Sequence, residues 1–221
     1  MSRITALKSL AETVFRSFVC AVAAHRIDFP TLLRSYFVPE GINSHIWQAA
    51  RATSAAPTFF KRIKIDGEHD YIDGGIVCNN PAQQVLDEAR RIGKNRRVDC
   101  ILSVGTGRAQ TVGLPYPNIL QRLLPTDIIN VLRRLATDAE RTASELDNRY
   151  RNTPGVYFRL NFELGSQKIP LEEWTRMTEV TNYTIQYLRD TEVSQKVDDL
   201  VHILAGMSAP RFSDTTVAPC M

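Results

Sequence analysis

An α/β layered domain followed by a mainly helical region is the fold class this sequence predicts, and three observations carry it. Two short segments, Val14–Ala24 and Val98–Val104, are apolar on both faces, as strands are when buried between helical layers in a parallel sheet. Helical periodicity alternates with these runs, which is the spacing of layered α/β domains. After Gly107 the pattern turns mostly helical.

Each element has a local reason. Val14–Ala24 and Val98–Val104 read as central strands. Between them Arg62–Ile65 alternates, Asp66-Gly67 marks a tight turn, and Tyr71–Asp73 follows, so a small hairpin should lead into Asp73 and end at Gly74-Gly75. Ser44 can cap a helix through Ile46, Trp47, Ala50 and Arg51 that stops before Pro57. Asn80-Pro81 suits an N-cap and first helical position, with Ala82, Val85, Leu86 and Ala89 as one buried stripe before Gly93. Ile128, Leu132, Leu135, Ala139, Ala143 and Leu146 mark a long amphipathic helix, Val156–Leu160 a strand, and Thr181–Leu188 and Val193–Leu204 two closing helices, the last stopped by Gly206. Trp47 and Trp174 are expected to pack in the core.

Composition narrows the function classes. The 221 residues are 43% hydrophobic and 23% charged, which fits a folded globular chain rather than a disordered or fibrous one. Lys plus Arg exceeds Asp plus Glu by only +3, giving no case for nucleic acid as partner. The longest apolar run, Phe18–Ala24, is far short of the about 20 residues that span a bilayer. Cys20, Cys78, Cys100 and Cys220 have no CxxC spacing, and the first three sit among apolar residues, so buried free thiols in a reducing compartment are expected there.

Asp73-Gly74-Gly75 is the leading candidate for chemistry. An Asp at a strand end, followed by two residues free to take unusual backbone angles, can present its carboxylate in a cleft. In isolation the same tripeptide reads as a turn. Its surroundings add weight: Ala49–Phe60 upstream, Ile76-Val-Cys-Asn-Asn-Pro81 downstream, then Ile101-Leu-Ser-Val-Gly-Thr-Gly107.

This series, in this order, resembles the C-terminal half of the catalytic domain of patatin-like phospholipases, in detail the fungal type. The resemblance extends through Tyr157–Asn161 and Pro170–Trp174, from about Phe18 to about Gly206. It implies a partial three-layer α/β/α patatin-like domain in residues 1–107 and a mainly helical extension packed on it in 108–206; the remaining residues, 207–221, lack a pattern and are expected to be a loose tail. Such proteins are lipid acyl hydrolases with a Ser–Asp dyad whose Asp belongs to an Asp-Gly-Gly (DGG) or Asp-Gly-Ala motif. The resemblance therefore implies that Asp73 is the proton acceptor, with Gly74, Gly75, Asn80 and Pro81 as motif support and a glycerolipid or phospholipid acyl ester as substrate. A carboxylate in reach of a Ser hydroxyl can take its proton without a His.

One departure weighs against activity of these residues by themselves. The family's nucleophile sits in a Gly-x-Ser-x-Gly elbow, and the first glycine here is Gly41, with no Gly-x-Ser-x-Gly anywhere in the sequence. The chain holds half a dyad and no nucleophile. Two readings follow: a hydrolase completed by an N-terminal complementing segment, or a non-catalytic remnant or pseudoenzyme that binds lipid or protein. A cytoplasmic protein, peripheral at membranes or lipid droplets, suits the first.

Other candidates are weaker. Ser54 falls at a helix end without flanking glycines, and Ser103 lies inside a strand, so both read as structural. His25, His45, His69 and His202 have no metal-ligand spacing, and neither a metal nor a cofactor is expected. Gly105-Thr-Gly107 suggests a dinucleotide loop, yet Gln110 stands where the third glycine belongs. Arg90, Arg91, Lys94, Arg96 and Arg97 surround a helix end, where cations complement the dipole; with Lys61, Arg62 and Lys64 they could alternatively face anionic head groups.

Overall fold

A computed structural model of the chain describes residues 15–57, 59–65, 67, 69–93, 97–107, 139–162 and 174–206. The chain divides into two compact units, Met1–Pro81 with Ile119–Arg141, and Ala82–Asn118 with Thr142–Met221. Strands and helices occur in both, as the α/β class requires.

The first unit holds a four-stranded sheet of β1 (Phe18–Ala23), β2 (Arg26–Arg34), β3 (Ile63–Ile65) and β4 (His69–Asp73) in the order β2-β1-β4-β3. Every pairing is antiparallel, which corrects the parallel sheet expected around Val14–Ala24. The run is nevertheless an inner strand, with Ala21 and Val22 fully buried, because β2 and β4 flank it. Apolarity on both faces reports two-sided burial and does not report strand direction. β2 was absent from the sequence expectations. Pro30 lies within it, and proline is tolerated there because β2 is an edge strand whose outer amides need no ladder partner.

The hairpin expected before Asp73 is present, with Ile63 opposite Tyr71 and Ile65 opposite His69, and Gly67 at φ 77° in its turn. Helix α1 runs from Ile46 to Thr53, with His45 rather than Ser44 at the N-cap position, and Gln48 Oε1 accepts from the His45 amide at 2.8 Å. Trp47, expected to pack in the core, lies on the outer face instead. Ile46 and Trp47 are 50% and 63% exposed, whereas Ala49 and Ala52 pack on the core cluster of Ala21, Leu33, Ile65 and Tyr71. Alanines let the helix sit close to the sheet, and the larger side chains turn outward.

In the second unit, α3 (Ala82–Gly93), β5 (Ile101–Val104), residues 142–150 of α4 (helical residues 139–150) and β6 (Tyr157–Leu160) surround a core of Ala82, Leu86, Ile101, Leu146 and Val156. Val85, expected inside, is 45% exposed, and Glu88 is buried instead, its carboxylate gripped by Arg91 at 3.0 and 2.7 Å. A buried carboxylate is tolerable when a guanidinium satisfies both oxygens. β5 pairs in parallel with β6 alone among the described residues, and Leu102 and Val104 are 44% and 68% exposed, so among the described residues Val98–Val104 has one strand neighbour and not the two expected of a central strand.

A single 3-10 turn, Trp174–Arg176, leads into α5 (Met177–Leu188), and α6 (Thr191–Leu204) follows. Asp190 caps α6 by accepting from the amides of Glu192 and Val193 at 3.0 and 3.3 Å. Gly206 ends it at φ 69°. Ile128, Leu132, Leu135, the tail 207–221 and the side chain of Trp174 lie outside the described residues.

Candidate active site

Asp73 is the last residue of β4 and lies opposite Ala21 of β1. Its amide donates to the carbonyl of Ala55, 3.1 Å away, just past the end of α1. The small residues Ala52 and Ala55, both fully buried, are what allow that close approach. Asp73 is thus held from the strand ladder and from the α1 loop.

Gly74 is buried against the main chain of Cys20. A Cβ added at Gly74 would overlap the Cys20 carbonyl group and lie 2.7 Å from Cys20 Cβ, so only glycine fits. The chain then enters a one-turn helix, α2 (Gly75–Cys78), in which the amides of Val77 and Cys78 donate to the Gly74 carbonyl at 3.1 and 2.9 Å. This turn aims the Gly75 amide back at Asp73, where it donates to Oδ1 at 2.7 Å.

The carboxylate is half-buried. Burial raises its proton affinity above the ordinary aspartate range, and the bond from Gly75, which favours the charged form, opposes the shift. Among the described residues no donor reaches Oδ2. One oxygen is therefore anchored while the other can accept a proton, and a raised affinity makes it a better base than a solvated Asp.

Residues 6–86, which contain this whole arrangement, match the family model for patatin-like phospholipase. The chain belongs to the patatin-like phospholipase family. It is 32% identical to calcium-independent phospholipase A2-gamma of Homo sapiens over 183 residues, 79% of this chain and 22% of that protein. Similarity extends to Phospholipase A I of Arabidopsis thaliana, 32% identical over 121 residues, covering 52% of this chain and 8% of that one. Patatin-like phospholipase 1 of Plasmodium falciparum (isolate NF54) is 28% identical over 185 residues, 75% of this chain and 27% of the relative. The chain spans about a fifth of the length of the human relative it matches.

The other residues of this patatin-like chain separate clearly. Asn80 is buried and its Nδ2 donates to the Ala139 carbonyl at 3.2 Å, while Pro81 is exposed just before α3. Ser54 Oγ donates to the Ala50 carbonyl at 2.8 Å, closing the last turn of α1. Ser103, buried in β5, accepts from Arg159 Nη1 at 2.8 Å. Gly105 and Gly107 have a packing role: a Cβ at Gly105 would lie 2.8 Å from Arg159 Nη2, and the Gly107 amide donates to Asn161 Oδ1 at 2.9 Å.

Arg90, Arg91 and Arg97 are each paired with a nearby carboxylate, on Asp87, Glu88 and Asp99 respectively. The rings of His25 and His69 stand 4.4 Å apart between centroids. Among the described residues no three His, Cys, Asp or Glu side chains gather as metal ligands, and no helix is long and apolar enough to cross a membrane.

Sequence reasoning missed the supports of Asp73, namely Ala55, Cys20 and Cys78. Cys20 and Cys78 are buried with their sulfurs 3.5 Å apart, directly beside Gly74. The run of small residues Ala49–Ala56 was the available signal for the first; nothing local marks the thiol pair, whose members lie 58 positions apart.

Proposed function

We propose that this chain supplies the base of a Ser–Asp dyad in a lipid acyl hydrolase acting on glycerolipid or phospholipid acyl esters. Asp73 is the proton acceptor. The Ser nucleophile and the oxyanion donors come from a Gly-x-Ser-x-Gly segment and a glycine-rich loop outside these residues, within a longer protein or a complementing chain. The observation that carries the reading is the anchored, half-buried Asp73 carboxylate with Oδ2 open, inside the segment that matches the family. Gly74 and Gly75 set its position, and Asn80 with Pro81 supports the chain that follows.

In this reading the Ser hydroxyl approaches Oδ2, which takes its proton as the oxygen attacks the ester carbonyl and passes it to the departing alcohol; the same carboxylate then takes a proton from the water that cleaves the acyl-enzyme and returns it to the Ser oxygen as the fatty acid leaves. The substrate is met at a lipid surface by a peripheral protein in a reducing compartment. The free thiols Cys20, Cys78 and Cys100 are compatible with that compartment.

The test restores the missing segment by fusion to the corresponding part of a relative and follows phospholipid hydrolysis. Asp73→Asn should lower kcat by about 10² to 10⁴ with KM and melting temperature little changed. Asp87→Asn is the control, because Asp87 is an exposed α3 residue bonded to Gln83 and Arg90 of its own helix. Full activity in both variants, or unfolding of Asp73→Asn, would return Asp73 to the role of a structural turn, and the non-catalytic reading would replace this one.

A further inference from the structure

We propose that Cys20 and Cys78 are a redox-modification site, oxidised by hydrogen peroxide to a reversible disulfide that staples β1 to α2 across the Asp73 turn. The inference stands on the thiol geometry and does not depend on the hydrolase reading.

The two residues come from distant points of the chain and meet in the core, Cys20 at 8% and Cys78 at 5% exposure. Their sulfurs are 3.5 Å apart, with the Cys78 thiol donating to Cys20 Sγ. A disulfide bond is about 2.05 Å long, so closure needs the sulfurs to approach by about 1.5 Å. Both anchors are firm. β1 is paired on both sides, and Cys78 closes the α2 turn through the hydrogen bond its amide donates to the Gly74 carbonyl. Two thiols held in contact by independent elements have already lost the loop-closure entropy that normally opposes disulfide formation.

The surroundings also assign roles. The Cys78 hydrogen bond, and secondarily the Arg34 guanidinium, favour the Cys20 thiolate against the effect of burial. Cys20 is thus the attacking sulfur. Its thiolate displaces hydroxide from peroxide to give the sulfenic acid; the Cys78 sulfur, losing its proton, then attacks the Cys20 sulfur and expels water. The two thiols lose two electrons and two protons, and one peroxide becomes two waters. Peroxide is little larger than water, which suits a site with small residual exposure. Cys100 lies outside this pair, and burial followed by the Asp99 charge holds its thiol up, so it should react more slowly.

The linked form closes a loop from residue 20 to residue 78 and binds together the two segments that pack around Gly74. It should restrain local opening of the Asp73 turn. The experiment treats the 221-residue chain with hydrogen peroxide, alkylates it after unfolding, and maps peptides by mass spectrometry, with melting temperature measured in parallel. A Cys20–Cys78 linked peptide that disappears with dithiothreitol, together with a melting temperature higher by about 5 °C or more, is expected. Cys20→Ala or Cys78→Ala should abolish both effects, and Cys100→Ala neither. Full alkylation of Cys20 and Cys78 after peroxide, or sulfinic acid without linkage, would overturn the proposal. A linked form that melts lower than the dithiol would overturn the stapling role.

Discussion

Gly74 rests on the carbonyl of Cys20, and that contact sets where Asp73 can be. The strand ladder brings Asp73 opposite Ala21, one residue along β1 from Cys20, and the chain must leave β4 while passing over the β1 backbone. A side chain at position 74 would push the turn away and carry the carboxylate with it.

Gly74→Ala should therefore destabilise the chain by about 1–3 kcal/mol, the usual cost of forcing a methyl group into a packed site. Gly67→Ala is the comparison. Nothing lies within 4 Å of its added Cβ, but its φ of 77° makes any side chain strained, so the cost there should be about 1 kcal/mol and purely local. Urea unfolding of the two variants separates these mechanisms, since the Gly74 variant should lose more stability than the Gly67 variant. Equal midpoints would argue that the Cys20 contact relaxes without strain.

Burial raises the proton affinity of Asp73, and this has a definite sign in stability. A carboxyl whose folded value lies above its unfolded one favours folding while both states are protonated, at pH below about 3.9, and that contribution is lost as pH rises through the folded value. At neutral pH the charged, half-buried group is thus a small burden. Asp73→Asn should melt at the same temperature as the parent or slightly higher at pH 7, and the difference should shrink as pH falls toward 4. A variant that melts markedly lower at pH 7 would mean that hydrogen bonding to the charged carboxylate outweighs desolvation.

Asp190→Ala should cost about 1 kcal/mol by leaving the Glu192 and Val193 amides at the start of α6 without their acceptor. Asp190→Asn should recover most of that loss. Chemical denaturation is the measurement; identical midpoints for both variants would show that α6 does not depend on its cap.

The first unit exposes Phe15, Phe29, Phe37, Trp47 and Phe60 at 77%, 61%, 76%, 63% and 59%. Scattered apolar residues are common on monomers, but this many aromatics predicts self-association of the chain when purified by itself. Phe29→Ser with Phe37→Ser should lower the apparent mass in light scattering without lowering the melting temperature by more than about 1 kcal/mol equivalent. A monodisperse parent would contradict this.

The isolated chain should show no esterase turnover above background and no fluorophosphonate labelling, since Ser54 and Ser103 are committed to Ala50 and Arg159. Labelling at either Ser, lost on its mutation, would reveal an activated hydroxyl.

Local signals by themselves determined the hairpin before Asp73, the helix after Pro81, the strand at Tyr157–Leu160 and the two closing helices, because turn chemistry, proline and glycine act within a few residues. They also singled out Asp73-Gly74-Gly75. What only the tertiary structure decided depends on which strands become neighbours. Val14–Ala24 is apolar on both faces in a parallel or an antiparallel sheet alike, so its pairing with β2 and β4 was open until β2 folded back through the Ala24-His25 turn. The inward face of α1 was decided by close packing of Ala49 and Ala52 on the sheet, which left Trp47 outside despite its hydrophobicity. The meeting of Cys20 with Cys78, the bond from the Asp73 amide to Ala55 and the half-burial of the carboxylate are all long-range consequences of β1 lying beside β4. Pairing at such sequence separation leaves no periodicity to read, because each partner satisfies its own local pattern whichever neighbour it finally meets.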